Sequence, residues 1–399
     1  NPLFKLRKAQ AYSAVGKLKE AISLLNELER GGIPSVELLL TKASVFSQLR
    51  DSVNAIKYYK ASLADAEPED RDEIYLDLAM EYQNKGDIRS ALRVLKEAIK
   101  SNPNNEGAIY EIAFCYDQLG DFEKSIECYS GFINDNPYSF TAWYNLGNAY
   151  SKMEDFEKAI WAYDYCVLIN DDFGPAHFNL GHANLGLDKY KKAIECFDKS
   201  IELDGDDPTT FCYIGECHEQ LGELDLAKHF YKRSLDLSPL LADAWLGLGI
   251  VADLEGKTKE GITLILKAGE IDPENAGIFH VLAGAYEKLE DREKADEYYQ
   301  LSLALDAKDE ECLLNYVNLL SDDSNIDALD YLSAFEDTSP GNCLLPVLKV
   351  NLLWKLGETD AALNLYKKCL EIDRDKALEL FDLYPALKNV TEFVLLADQ

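Results

Sequence analysis

Ala142-Trp143-Tyr144-Asn145-Leu146-Gly147-Asn148-Ala149-Tyr150, followed by Asp155-Phe156-Glu157-Lys158-Ala159-Ile160 and then Tyr163, is the stretch on which the fold turns. Its pattern returns along the whole chain at a period of 34 residues. Stepping from Ala159, the same small residue recurs as Ala193, Ala227, Gly261 and Ala295, and after one deletion as Ala328 and Ala362. Backwards it recurs as Ser125, Ala91, Ala55 and Ala21, which makes eleven units with one spacing of 36 and one of 33. A fixed period of this length marks a stacked repeat and not a single globule.

Two further series check the register. A small residue precedes the turn at Ala9, Ala43, Ala79, Ala113, Gly147, Gly181, Gly215, Gly249 and Ala283, and fails at Val317 and Val350. A large one follows it at Leu25, Tyr59, Leu95, Tyr129, Tyr163, Phe197, Tyr231, Ile265, Tyr299, Leu332 and Tyr366. Small against large is the pairing that lets two helices approach closely. Gly16, Gly86, Gly120, Gly222, Gly256 and Gly357 end first helices, where a left-handed residue is needed. Pro103, Pro137, Pro239, Pro273 and Pro340 follow second helices, which proline cannot continue. Each unit therefore reads as a helical hairpin, stabilised by stacking on its neighbours.

The unit around Trp143 resembles the tetratricopeptide repeat, whose consensus carries Trp, Leu-Gly, Tyr, Ala, Phe and Pro at these places. The resemblance implies an all-α, right-handed superhelical solenoid. On this reading residues 1–374 hold eleven repeats, and 375–399 form helices that cap the C-terminal end. The repeat degrades over 310–341, where Val317 replaces the small residue and Ser321-Asp322-Asp323-Ser324-Asn325 replaces the glycine turn, so a bend or softening is expected there. Leu3, Phe4 and Leu6 are expected to stand open at the other end. The chain begins at Asn1, inside a helix pattern and without Met, so upstream sequence is expected.

Of the 399 residues, 72 are Asp or Glu and 40 are Lys or Arg, a formal net charge of −32. Such a field repels phosphate backbones and disfavours nucleic acid as a partner. It would attract a basic polypeptide segment, although acidity alone identifies no partner. Nine cysteines form an odd set without framework spacing, which suits a reducing compartment, and the cytoplasm is the expected location. No apolar run reaches the roughly 18 to 20 residues that span a bilayer, and no signal-peptide pattern is seen, so membrane insertion is not expected.

The resemblance also places the working surface. In such repeats the concave wall is built mainly from first helices, which here brings forward Tyr110, Glu111 and Phe114, then Tyr144, Asn145 and Asn148. Next come Phe178, Asn179 and His182, followed by Tyr213, Glu216 and Glu219. Rings that cover apolar side chains, beside amides that pair with backbone groups, are what an extended peptide needs. The competing reading is that the aromatics pack between neighbouring first helices and that the Asn residues serve the fold. A carboxylate clamp of the kind that holds acidic tails is not expected. Asn148 and Asn179 match its amides, but Tyr144, Thr209 and Tyr213 stand where its cations belong.

Nothing in the chain reads as catalytic, and no cofactor is implied. The histidines, His177, His182, His218, His229 and His280, form no zinc-site spacing. Cys212, Cys217 and His218 come nearest to a ligand cluster, yet cysteine here replaces small buried residues of the repeat. The glycines lie in a helical frame and form no phosphate loop. The leading expectation is a non-catalytic scaffold that holds a peptide segment in a groove centred on residues 106–241. Two alternatives stay open: a docking or regulatory region of a larger enzyme or signalling protein, and an element that self-associates through its N-terminal end.

Overall fold

The structure, a computed structural model, describes residues 2–32, 35–103, 105–338 and 344–397. Among these residues every regular element is a helix. The chain packs as two compact units, Asn1–Gly205 and Asp206–Gln399. The first holds α1 (Pro2–Ala14) with α2 (Leu18–Arg30), α3 (Val36–Gln48) with α4 (Ser52–Asp65), and α5 (Arg71–Asn84) with α6 (Ile88–Ser101). It continues with α7 (Glu106–Gln118) and α8 (Phe122–Asp135), α9 (Phe140–Lys152) and α10 (Phe156–Ile169), and α11 (Gly174–Leu185) and α12 (Tyr190–Asp204). The second holds α13 (Pro208–Gln220) with α14 (Leu224–Leu237), α15 (Ala242–Leu254) with α16 (Thr258–Ile271), and α17 (Ala276–Lys288) with α18 (Arg292–Leu305). After them come α19 (Glu310–Asp323) with α20 (Asn325–Thr338), α21 (Leu344–Lys355) with α22 (Thr359–Ile372), and the short α23 (Arg374–Leu378), α24 (Leu380–Leu383) and α25 (Thr391–Ala397).

Within each unit the helices of a hairpin pack on one another, and each second helix packs on the first helix of the next hairpin. This is the all-α solenoid class that the repeat predicts. Chain chemistry sets the hairpin ends. Asp51, Asp87, Asp155 and Asp291 open second helices by accepting from the amides of Asn54, Ser90, Lys158 and Lys294. One residue before each of these caps the backbone turns left-handed. Gly86 does so with φ 77°, but Arg50, Glu154 and Glu290 do it with φ 59°, 59° and 60°. The glycine rule thus misses part of the series. At the degenerate repeat no such residue occurs. Instead α19 runs on to Asp323, Ser324 is extended at φ −157°, and its hydroxyl caps α20 at the amide of Asp327. Val317 is buried in the core of this repeat. Pro340 lies outside the described residues.

The core follows the small-to-large rule. A Cβ added to Gly147 would lie 2.5 Å from the Tyr163 ring, and the same crowding holds at Gly181 against Phe197 and Gly215 against Tyr231. Trp143 is buried and donates its indole N–H to the Pro137 carbonyl at 2.9 Å, and Trp245 does the same to Pro239 at 2.9 Å. The turn proline therefore also supplies the acceptor that a buried indole requires. At the N-terminal end the expectation is corrected for one residue. Leu6 packs with Leu25 and Leu28 in the core, while Leu3 and Phe4 are exposed. At the other end Phe393 of α25 is fully buried against Trp354 and Tyr366.

Candidate functional site

In the first unit α7, α9 and α11 present their inner faces to a cleft of about 540 Å³. Tyr110, Phe114, Asn145, Asn148, Asn179 and His182 line it, with Asp117 and Lys152 at one side. These first helices lie side by side because their outward partners α8, α10 and α12 take up the apolar faces, leaving a polar and aromatic stripe inside. Of the other residues expected here, Tyr144 touches the same network, and the Phe178 ring packs on Phe197 at 5.8 Å, as the packing reading has it. Tyr213 and Glu216 belong to the second unit.

The amides divide into two kinds. Asn148 Oδ1 accepts from the Tyr163 hydroxyl at 2.8 Å and from Asn179 Nδ2 at 2.8 Å, and Asn179 Nδ2 also donates to the Tyr144 hydroxyl at 3.2 Å. This network ties α9 to α11 and to α10, so Asn148 and Asn179 serve the fold with one half of each amide. Replacing Asn179 would therefore disturb stability as well as any binding. Asn145 is different. It is half-buried in the cleft and makes no hydrogen bond among the described residues. Burial holds the His182 imidazole below its ordinary pKa, so it is neutral at pH 7. Tyr110 is tethered through its hydroxyl to Ser139 at 2.7 Å and Thr141 at 2.9 Å, and its ring packs on Phe132. Phe114, one turn further along α7, remains 43% exposed.

Neighbouring first helices are clasped near their C-terminal ends. Gln48 donates to Ser13 at 2.9 Å and Lys152 to Asp117 at 2.9 Å, and Lys288 pairs with Asp253, each across 35 residues. The second-helix tyrosines reach back to the same place: Tyr231 donates to Glu219 at 2.9 Å and Tyr299 to Glu287 at 2.8 Å. Burial pushes the Glu219 carboxyl up to about 7, with the Tyr231 hydrogen bond opposing and the Glu216 charge adding to the rise.

Cys212, Cys217 and His218 do not form a ligand set. His218 bonds Glu223 at 2.6 Å and stacks on Phe230. Among the described residues a different group assembles, His280, Asp309 and Cys312, with ligand atoms within 4.8 Å of one another. Spacing along the chain hides it, since His280 lies in α17 and the other two at the start of α19. His280 Nε2 is engaged by Asn315 at 3.0 Å and Nδ1 faces Asp309 at 3.4 Å. That is the tether Tyr110 makes to Ser139 and Tyr144 makes to Asn179, one repeat position for all three. Cys312 is fully buried, and burial pushes its thiol up to about 11. The same cause lifts Cys166 to about 12, so these thiols are protonated packing groups.

Comparison with known proteins agrees with this architecture. Models of the tetratricopeptide repeat match residues 82–146, 140–173, 174–207, 210–239, 276–309 and 347–376. The chain belongs to the tetratricopeptide repeat family. A curated relative, anaphase-promoting complex subunit 3 of Schizosaccharomyces pombe, is 28% identical over 105 residues, which is 26% of this chain and 16% of that protein. The chain thus matches only a small part of that relative's length. Among solved structures, yeast Tom70 is similar over 97% of this chain and 95% of its own, with 14% identity and a TM-score of 0.55. A tetratricopeptide repeat protein from Parabacteroides merdae is similar over 63% of this chain and 98% of its own, with 19% identity and a TM-score of 0.49. At such identities the likeness to Tom70 is one of fold. No helix among the described residues is long and apolar enough to cross a membrane.

Proposed function

We propose that this chain is a non-catalytic scaffold for protein interaction, and that the cleft of α7, α9 and α11 holds an extended segment of a partner protein. In this reading the hairpins of residues 1–374 are eleven repeats, and the helices of 375–399 close the C-terminal end. The observation that carries it is Asn145: an amide with both halves unpaired, set in a concave wall between Phe114 and the tyrosines. An amide can accept from one backbone N–H and donate to one C=O of an extended chain without reading its sequence. The formal charge of −32 favours a basic or apolar segment over an acidic one. Among the described residues the cysteines are unbridged and protonated, which fits a reducing compartment, for which the cytoplasm is the simplest choice.

The test compares wild type with Asn145→Ala in capture from a native lysate, with both variants melted in parallel. Loss of hydrogen bonds to a bound backbone should weaken capture about 3- to 10-fold. The melting temperature should stay nearly unchanged, since Asn145 bonds nothing in the free protein. Equal capture by the variant would remove the amide from the site.

A further inference from the structure

A groove of about 700 Å³ opens between α6, α7 and α8, lined by none of the residues of the Asn145 cleft. Its apolar lining comes from Ile99, Ile109, Ile112 and Phe132, with Pro103 from the turn before α7. The repeat explains why it is open. One period of 34 residues further on, Ile109 becomes Trp143, Glu127 becomes Trp161 and Gly131 becomes Tyr165. Those three rings pack on one another, Trp143 with Trp161 at 5.0 Å and with Tyr165 at 4.5 Å. Two later hairpins cover the same first-helix ring with a cation: Arg233 stands 3.9 Å from the Phe211 ring and Lys267 3.4 Å from that of Trp245. In α7 and α8 both members are missing. Ile109 replaces the ring and Gly131 replaces its cover, and a Cβ added to Gly131 meets nothing within 4 Å.

Two further features identify what would fill the groove. Trp143 and Trp245 each donate the indole N–H to the carbonyl of the proline six residues earlier, Pro137 and Pro239, at 2.9 Å. Pro103 holds that place at the groove, but the Ile109 side chain has no N–H to offer it. A carbonyl acceptor beside an apolar hollow is what an indole requires. Charge is the other feature. Glu106, Glu127 and Asp135 line the groove at the places that Phe140, Trp161 and Ile169 take in the next hairpin. Acids therefore stand here where the neighbouring repeat is apolar. On α6, Lys96 lies over the Tyr116 ring at 5.6 Å and Lys100 pairs with Glu97 at 2.7 Å. A cation next to the indole would be complemented and an anion repelled.

We propose that this groove takes a tryptophan side chain, flanked by lysine or arginine, from a partner polypeptide. The guest ring fills the space that Trp143, Trp161 and Tyr165 fill one repeat further on. Its N–H donates to the Pro103 carbonyl, and its basic neighbours meet Glu127 and Asp135. The inference goes beyond the Asn145 cleft and does not depend on it.

The experiment titrates the full chain into a capped Lys-Trp-Lys tripeptide whose indole carries fluorine, followed by fluorine NMR at about 150 mM salt, where the diffuse field is screened beyond roughly 8 Å. Wild type should shift the resonance to saturation with a Kd on the order of 1 mM or tighter. Methylating the indole nitrogen removes the donor and should weaken binding about 3-fold or more, a comparison that needs no protein variant. Gly131→Tyr restores the covering ring from within and should weaken binding at least about 5-fold by filling the groove. Asn145→Ala should bind the tripeptide as wild type does. The inference is overturned if wild type leaves the resonance unmoved, or if either the methylated peptide or Gly131→Tyr falls short of its expected loss. Weakening by Asn145→Ala without weakening by Gly131→Tyr would put the tripeptide in the other cleft, so the two sites fail separately.

Discussion

At the scale of single residues, the contact between Gly147 and Tyr163 decides how closely α9 and α10 approach. A methyl group there would intrude to 2.5 Å from a ring that is 1% exposed and cannot swing out. Gly147→Ala should therefore destabilise the protein by roughly 1 to 3 kcal/mol in urea melts, as an overpacked core does. Gly131, on α8, meets nothing within 4 Å, so Gly131→Ala should be stabilising by about 0.5 to 1 kcal/mol through helix propensity. Equal effects of the two would show that glycine serves both helices in the same way and that the close approach is not what Gly147 provides. This contact was legible in the sequence, because one series of small residues and one of large ones keep a common period. The roles of the amides were not. Asn145, Asn148 and Asn179 look alike in the repeat pattern, yet two of them bond each other across α9 and α11 and one bonds nothing. That difference depends on which side chain of the next helix faces each amide, which a one-dimensional pattern does not carry. His280 with Asp309 and Cys312 escaped notice for the same reason, although repeat register aligns His280 with Tyr144 and so offers a signal for its tether.

At the scale of elements, the turn between the two helices of a hairpin shows how much of a rule the residues need to obey. Glycine marks the left-handed position in several hairpins, and those turns could be read directly. Glu154 and Glu290 occupy the same conformation at φ 59° and 60° without glycine's freedom, so residue type does not mark these two turns. A non-glycine residue in this region carries strain of roughly 1 kcal/mol. Glu154→Gly should accordingly stabilise the protein by about 0.5 to 1 kcal/mol in urea melts, while Gly120→Ala at the equivalent turn should destabilise it by a similar amount. Destabilisation by Glu154→Gly would mean that the glutamate side chain contributes something the turn geometry does not show. The degenerate repeat is the opposite case. The loss of one residue was visible, but its outcome, a longer α19 ending on an extended Ser324 that caps α20, follows from cap chemistry that the spacing alone does not resolve.

At the scale of the whole molecule, two compact units are each built from stacked hairpins, and acids near the C-terminal ends of first helices are held either by a lysine of the neighbouring first helix, as in both units, or by a second-helix tyrosine. In the first unit Asp117 is held by Lys152 beside the cleft of α7, α9 and α11. In the second, Glu219 is held by Tyr231 and sits near 7 because it is buried. The resemblance to the repeat family implies a concave working face of first helices, yet Tyr213 and Glu216 fall in the second unit, since the repeat is continuous across the point where the packing divides. The central claim is that binding occurs on the inner face of the first unit. A photo-crosslinking residue placed at Phe114, 43% exposed in the cleft, tests it against the same residue at Tyr138, which is 85% exposed and outside it. With partner protein captured from native lysate, the account predicts an adduct from position 114 that position 138 does not give. Adducts from position 138 alone, or equally from both, would contradict it.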